Sequence, residues 1–321
     1  MIELNSTEKN LIVEKSQELG FDLIRFTDAE ALELDGLRLH EWIKENKHAD
    51  MHWMEKNLDK RWQPKSILPS AQTVICLASN YFTPDEELSA SQLFGRVAKY
   101  ARGRDYHKII AKKLKKMCQF LNDKWPNSNH KPYVDTGPIL EKALAQKSGI
   151  GFVGKNTLVI SKEFGSWIFL SEIITDLKIT PDQLLPPFGS CGSCRKCIDA
   201  CPTGALTEYK LDSNKCIAYH TIENKGEIPD KIAKKLSGYI FGCDICQSVC
   251  PHNCRAQKTK EEAFSMRISG EKINLDEILS IDSQEKFDKI FAGSPIRRAK
   301  LAGLKRNATI LKKNIKSVDG E

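Results

Sequence analysis

CGSCRKCIDACPTGAL, residues 191–206, spaces its cysteines as Cys191-x2-Cys194-x2-Cys197-x3-Cys201-Pro202. This is a 4Fe–4S ligand run, in which three closely spaced thiolates grip one cluster and the fourth reaches to a second. GCDICQSVCPHN, residues 242–253, repeats the tail of the pattern as Cys243-x2-Cys246-x3-Cys250-Pro251 but lacks the leading cysteine, which Cys216 can supply across a loop. The spacing then assigns Cys191, Cys194, Cys197 and Cys250 to one cluster, and Cys201, Cys216, Cys243 and Cys246 to the other. Zinc ribbons pair two Cys-x2-Cys turns and have no need of Cys-Pro, so the run reads as iron–sulfur. Of the remaining thiols, Cys254 reads as a bystander or a substitute ligand, Cys76 as a buried core thiol and Cys118 as structural.

The chain has 321 residues and 11 cysteines, nine of them between Cys191 and Cys254. Thiols gathered in one segment, in a chain without an export signal, mean metal and not disulfides. With 40% hydrophobic and 28% charged residues, wholesale disorder is excluded, and the length suits two or three domains. The start, MIELNSTEKN, has neither a basic n-region nor an apolar h-region, so no secretory or twin-arginine leader is expected. No apolar stretch approaches the ~18 residues of a membrane span. A soluble, cytoplasmic protein is expected. The net charge of +7 is uneven, because Arg297, Arg298, Lys300, Lys305, Arg306, Lys312, Lys313 and Lys316 fall in a stretch with no acidic residue. That stretch is either a polyanion surface or a solvated basic helix.

Residues 1–180 read as one mixed α/β domain, 181–256 as the cluster domain and 257–321 as a helical, basic segment, with a boundary at Pro181, Pro186, Pro187 and Gly189. Ser6 is the expected N-cap of a helix ending before Gly20, and residues 32–57 have helical spacing. Ile110, Leu114, Met117 and Leu121 recur as the apolar stripe of another helix, with Lys112, Lys113, Lys115 and Lys116 on its solvated side. Strands are expected at 21–27, 73–79, 131–135, 157–160 and 166–174, and a helix opening at Pro138 and running to Gly149. Gly149-Ile-Gly151-Phe-Val-Gly154 matches a dinucleotide fingerprint, but it follows a helix and precedes a strand, the reverse of what that loop needs. The same stretch fails as a P-loop, since Asn156 follows Lys155 where Ser or Thr must hold magnesium. Asp105-Tyr106-His107 begins D-x-H-x-x-G, the motif of a cobalamin-ligating histidine, but position 110 is Ile.

An electron carrier has no need of ~180 further residues of α/β domain, the size range of a domain in its own right. The chain resembles the epoxyqueuosine reductases, cobalamin-dependent iron–sulfur enzymes that complete queuosine synthesis in tRNA. The resemblance rests on DKRWQP (59–64), GRDYH (103–107), VDTGPILEKALAQKSGIGFVGKNT (134–157) and the two cysteine runs. It continues through CIAYHTIENKGEIP (216–229) and GSPIRRAKLAGLKRNA (293–308). It implies an α+β fold: a nitroreductase-like cobalamin-binding domain, a two-cluster ferredoxin-like domain and a helical C-terminus. The implied reaction reduces epoxyqueuosine to queuosine at the anticodon wobble position, with cobalamin fed by two 4Fe–4S clusters.

By the same resemblance, Asp135 is the general acid, which requires its pKa to be raised; the alternative is a strand-end Asp capping the Pro138 helix. Arg61 is implied at a corrin side chain or phosphate. Ala98, Val159, Ile160 and Leu170 either line the cofactor or are plain core. Asp244 is implied near the lower corrin face, and Tyr106 and His107 face the substrate pocket or are structural. Lys225, Arg297, Arg298, Lys305 and Arg306 are candidates for tRNA phosphates. The implied partners are a tRNA carrying epoxyqueuosine and an unidentified electron donor, with the chain a monomer free of membrane. The rival readings are a corrinoid iron–sulfur reductase of a small molecule and a two-cluster electron carrier.

Overall fold

The strands that position the site are, in chain order, β1 (Leu23–Asp28), β2 (Thr73–Asn80), β3 (Phe94–Val97), β4 (His130–Tyr133), β5 (Phe152–Val153), β6 (Val159–Ile160), β7 (Ile168–Thr175), β8 (Tyr239–Phe241) and β9 (Lys272–Asn274). They belong to a computed structural model that describes residues 2–85, 93–182, 189–265 and 268–318. Pro186, Pro187 and the side chain of Lys316 lie outside the described residues.

β1, β2, β7 and β4 pair in that order as an antiparallel sheet. β2 is buried along its whole length because both faces are covered, which is why TVICLASN reads as a continuous apolar run. One face packs Phe26, Ile75, Leu77, Phe169 and Ile173 on Ile110, Leu114, Met117 and Leu121, the stripe of the helix Tyr106–Lys124. The other packs Val74, Cys76, Ala78 and Ile174 on Leu144 and Ala145 of the helix Glu141–Ser148.

In a second sheet, β3 lies between β8, its parallel neighbour, and β9, its antiparallel one. Segments 1–180, 181–256 and 257–321 therefore each contribute one strand. Val97 and Ala101 share a core with Ile240, Phe241, Leu275, Phe287 and Leu304. Asn307 of the helix Lys300–Val318 closes that core by donating its amide to the carbonyls of Thr221 (3.0 Å) and Ile240 (2.9 Å).

Three local expectations shift. The first helix is capped by Asn5, not Ser6, because Asn5 and Glu8 form a reciprocal capping box. The pattern over 32–57 breaks after Glu33–Lys44, where Asn46 and Ala49 take left-handed φ of 52° and 53°, and resumes as the short turns His52–Met54 and Leu58–Trp62. Pro138 does not open a helix, which begins only at Glu141. The preceding loop is held open because the Asp135 amide bonds the Glu141 carboxyl and the Leu140 amide bonds the Arg61 carbonyl. Among the described residues, no helix is long and apolar enough to cross a membrane.

Phe241 is fully buried where β8 meets β3. Phe241→Ala should lower the free energy of unfolding by about 3–5 kcal/mol, through lost transfer energy and an unfilled cavity. A lower urea midpoint at unchanged slope would register it.

Candidate active site

Asp105 caps the helix Tyr106–Lys124, accepting the His107 amide at 3.1 Å. The same carboxylate oxygen lies 2.8 Å from His107 Nδ1, while Nε2 lies 2.8 Å from Asp135 Oδ2. With both carboxyls ionised, a ring with an oxygen at each nitrogen donates from both and is an imidazolium. Partial burial opposes that charge, but the hydrogen bonds and charges of Asp105 and Asp135 overcome it and push the His107 pKa up to about 9. For Asp135, burial raises the carboxyl, yet His107, the Tyr106 hydroxyl and the charge of Arg298 outweigh it and hold the group below its ordinary value. The direction for Asp135 is thus the reverse of the expected raised pKa, and the electrostatics favour the proton on His107. Tyr106 is buried beneath, stacked on Phe169 at 4.1 Å and on His107 at 4.1 Å.

Asp135 follows β4 with a left-handed φ of 56°, and its amide donates to Glu141 Oε1 at 2.6 Å. Its side chain turns to His107, so it does not cap the following helix. Burial and the charge of Asp135 push Glu141 up to about 7. Glu172, fully buried on β7, is pushed far higher by burial and by Glu141. Sequence reading missed Asp105, Glu141 and Glu172. Asp105 left a signal in GRDYH (103–107), and Glu172 left one as the lone charge in the apolar strand SWIFLSEII.

Cys191, Cys194, Cys197 and Cys250 line one small cavity with Asn156 and Ile160. Cys201, Cys216, Cys243 and Cys246 stand within one another's field, which with burial raises Cys216, Cys246 and Cys243, the last up to about 12. The fold thus gathers the first set around one cavity and places Cys201, Cys216 and Cys243 in one another's field, while Cys246 feels Cys243 and Cys216 and also Cys197 of the first set. The Lys155 amide donates to Cys191 Sγ (3.3 Å) and the Ala205 amide to Cys201 Sγ (3.4 Å). The glycine-rich stretch serves this contact: a Cβ on Gly154 would stand 2.6 Å from Ile160 Cδ1 and 3.5 Å from Cys191 Sγ. Cys254 is exposed and Cys76 buried, while burial pushes Cys118 up to about 11.

Arg61 abuts the Asp135 loop, donating Nη2 to the Trp53 carbonyl (3.0 Å), and its Nε is buried without a hydrogen-bond partner among the described residues. Asn156 Nδ2 is likewise unpartnered there. Val159 and Ile160 are buried and Leu170 is half-buried. Ala98 is buried against Gly242, where a Cβ would come within 2.5 Å of the Ala98 Cβ. Asp244, fully buried between two cluster-run cysteines, accepts the Lys99 amide at 2.7 Å, and burial pushes it up to about 6.

The basic candidates divide. Arg306 is a strut rather than an open cation, donating to the carbonyls of His220 (2.6 Å) and Asn224 (2.8 Å). Lys225 donates to the carbonyls of Ile222 and Arg298. Arg297 pairs with Asp288 at 2.9 Å, and Arg298 grips Glu223 through Nε and Nη2. Both arginines are exposed and Lys305 is half-buried.

The family model described as epoxyqueuosine reductase QueG, DUF1730 matches residues 61–136, and a 4Fe-4S double cluster binding domain matches 190–253. An epoxyqueuosine reductase of Synechocystis sp. is 44% identical over 274 residues, covering 84% of this chain and 93% of the relative. The chain belongs to the epoxyqueuosine reductase family. Among solved members, one crystallised with a tRNA-Tyr epoxyqueuosine-modified tRNA stem loop superposes with a TM-score of 0.89 at 30% identity, covering 97% of this chain and 82% of that one. The epoxyqueuosine reductase of Streptococcus thermophilus gives 0.87 at 32% identity, covering 95% and 81%.

In this epoxyqueuosine reductase family member, an NMR titration of His107 should give a midpoint near 9, and Asp135→Asn should return it towards the ordinary 6.5. Because the folded value of His107 is the higher, the stability its ion pairs contribute is complete near 6.5 and fades as pH rises through about 9, and it is lost again in acid as Asp105 and Asp135, both held low, take up protons.

Proposed function

We propose that the chain reduces epoxyqueuosine to queuosine at the wobble position of tRNA, removing the epoxide oxygen as water. The observation that carries the reading is His107 set at 2.8 Å from both Asp105 and Asp135, in a chain 44% identical to an epoxyqueuosine reductase. The reaction takes up two electrons and two protons, and the oxygen leaves only if it is protonated as the C–O bond opens. Asp105 and Asp135 keep a proton on His107 well above neutral pH. That proton passes from Nε2 through Asp135 Oδ2 to the opening oxygen. The Tyr106 hydroxyl steadies the carboxylate, and the half-exposed His107 recovers its proton from solvent.

Cys191, Cys194, Cys197 and Cys250 hold one 4Fe–4S cluster, and Cys201, Cys216, Cys243 and Cys246 the other. Two sets of four thiols, Cys197 buried and the other seven half-buried, with backbone amides donating to two of the sulfurs, suit the cationic core of a 4Fe–4S cluster, which would hold them as thiolates. The α/β core is assigned as a nitroreductase-like cobalamin domain. When bound, the corrinoid supplies a centre able to hold two electrons, which iron–sulfur clusters deliver singly from an external donor. The unpartnered donors Arg61 Nε and Asn156 Nδ2 suit its polar edge, and Val159, Ile160 and Leu170 its apolar body. Arg298, whose charge reaches Asp135, is the cation best placed for an anticodon-arm phosphate, in exchange for Glu223.

The test is turnover of an epoxyqueuosine-modified stem loop by reconstituted enzyme. Asp135→Asn should retain iron and cobalamin and lose at least about a hundredfold in kcat, the scale of a general acid. Undiminished turnover in that variant contradicts the assignment.

A further inference from the structure

Glu172 lies in β7, an inner strand, with Cys76 of β2 and Tyr133 of β4 as its register partners. It has no exposed surface, and among the described residues no N–H or O–H donor reaches either carboxyl oxygen. Ionised, it would be an unpaired charge in the interior, so it keeps its proton. The polar group it meets is the carboxyl of Glu141, and two carboxyls in contact can bond only through a proton between them. Glu141 receives at Oε1 the amide of Asp135, 2.6 Å away, at the residue whose backbone is left-handed. A non-glycine residue stays in that conformation only when its surroundings hold it there. The Thr136 amide folds back on the Val134 carbonyl at 2.6 Å, so the turn is tight on both sides of Asp135. Glu172, Glu141 and the Asp135 amide thus lie in one series from the sheet interior to the Asp135 loop, fixed at the loop end by the 2.6 Å hydrogen bond to Glu141.

We propose that Glu141 and Glu172 share one proton and together form the latch that seats the Asp135 loop. The proposal rests on the reading of Asp135 as the group that delivers the proton, and Glu141 and Glu172 act as positioning residues. The titratable groups facing the pair are Asp135, Lys142 and Tyr106 around Glu141, and Cys76 and Tyr133 around Glu172. Burial and the negative Asp135 bring Glu141 to titrate at about 7, while Glu172 stays protonated far above that. Above neutrality Glu141 is an anion receiving two charge-assisted bonds, from the Glu172 hydroxyl and the Asp135 amide; below it, both bonds are of the ordinary neutral kind. The latch tightens as pH rises through about 7.

Hydrogen exchange of the segment 134–137 in the holoenzyme, measured against the intrinsic rate at pH 6 and pH 8, tests this apart from activity. At pH 8, Glu141→Gln should lose about tenfold of the protection of the Asp135 amide, the advantage of a charged acceptor over a neutral one. Glu172→Gln keeps a neutral donor and should stay within about twofold of wild type, whereas Glu172→Met should behave like Glu141→Gln. With the latch seating Asp135, wild-type turnover should rise from pH 6 to pH 8, and that rise should be absent in Glu141→Gln. Unchanged protection in both Glu141→Gln and Glu172→Met overturns the latch. If Glu172→Met does not fold, Glu172→Gln decides, since collapse of that isosteric neutral variant would mean a charged Glu172 and overturn the shared proton. Protection lost while turnover persists upholds the latch and instead overturns the role given to Asp135.

Discussion

β3 is paired on both edges by strands from later in the chain, and the placement of the candidate site depends on that pairing. At its exit, the Ala98 amide bonds the Phe241 carbonyl and the Lys99 amide bonds Asp244, which lies between Cys243 and Cys246. A few residues on, the Asp105 amide bonds the Gly293 carbonyl and the helix bearing His107 begins. On the partner strand, β8 is followed by Gly242, whose φ of 73° and contact with Ala98 leave no room for a side chain, and then by Cys243. One hydrogen-bonded edge therefore sets the cysteine run and the proton-bearing histidine relative to each other. A redox centre and a proton donor serving one substrate need a fixed separation, and a backbone ladder is a stiffer ruler than side-chain contacts.

The site separates charge by environment. Asp105, His107, Asp135, Glu141 and Glu172 form a row in which each group decides the protonation of the next. His107 is drawn up to about 9 by two carboxylates, Asp135 is held low by that cation, and Glu141 is pushed up to about 7 by burial and the negative Asp135. Glu172, sealed in the sheet, stays neutral. Groups whose values are driven apart in this way mark the assignment of acid and base roles.

What was legible in the sequence was what is local. A 4Fe–4S run fixes its ligands within a few residues, so Cys191 to Cys201 and Cys243 to Cys250 could be read from spacing, as could the buried stripe of Ile110, Leu114, Met117 and Leu121. The state of Asp135 was not, because its partner His107 lies 28 residues away and arrives only through the fold. Pro138 looked like a helix start until the loop before it proved to be held by Glu141 and Arg61. Arg306 looked like a phosphate ligand in a basic run, yet it serves the carbonyls at the end of the helix Ile217–Ile222, which would otherwise be unpaired. Glu172 is the lone charge in an apolar strand yet was passed over, and nothing in the sequence named Glu141 as its neighbour.

The central claim is that this chain completes queuosine in tRNA. Mass-spectrometric analysis of tRNA nucleosides from cells lacking the gene tests it most directly. Epoxyqueuosine should accumulate and queuosine disappear, both reversing when the intact gene is restored; normal queuosine in the deletion strain would contradict the account.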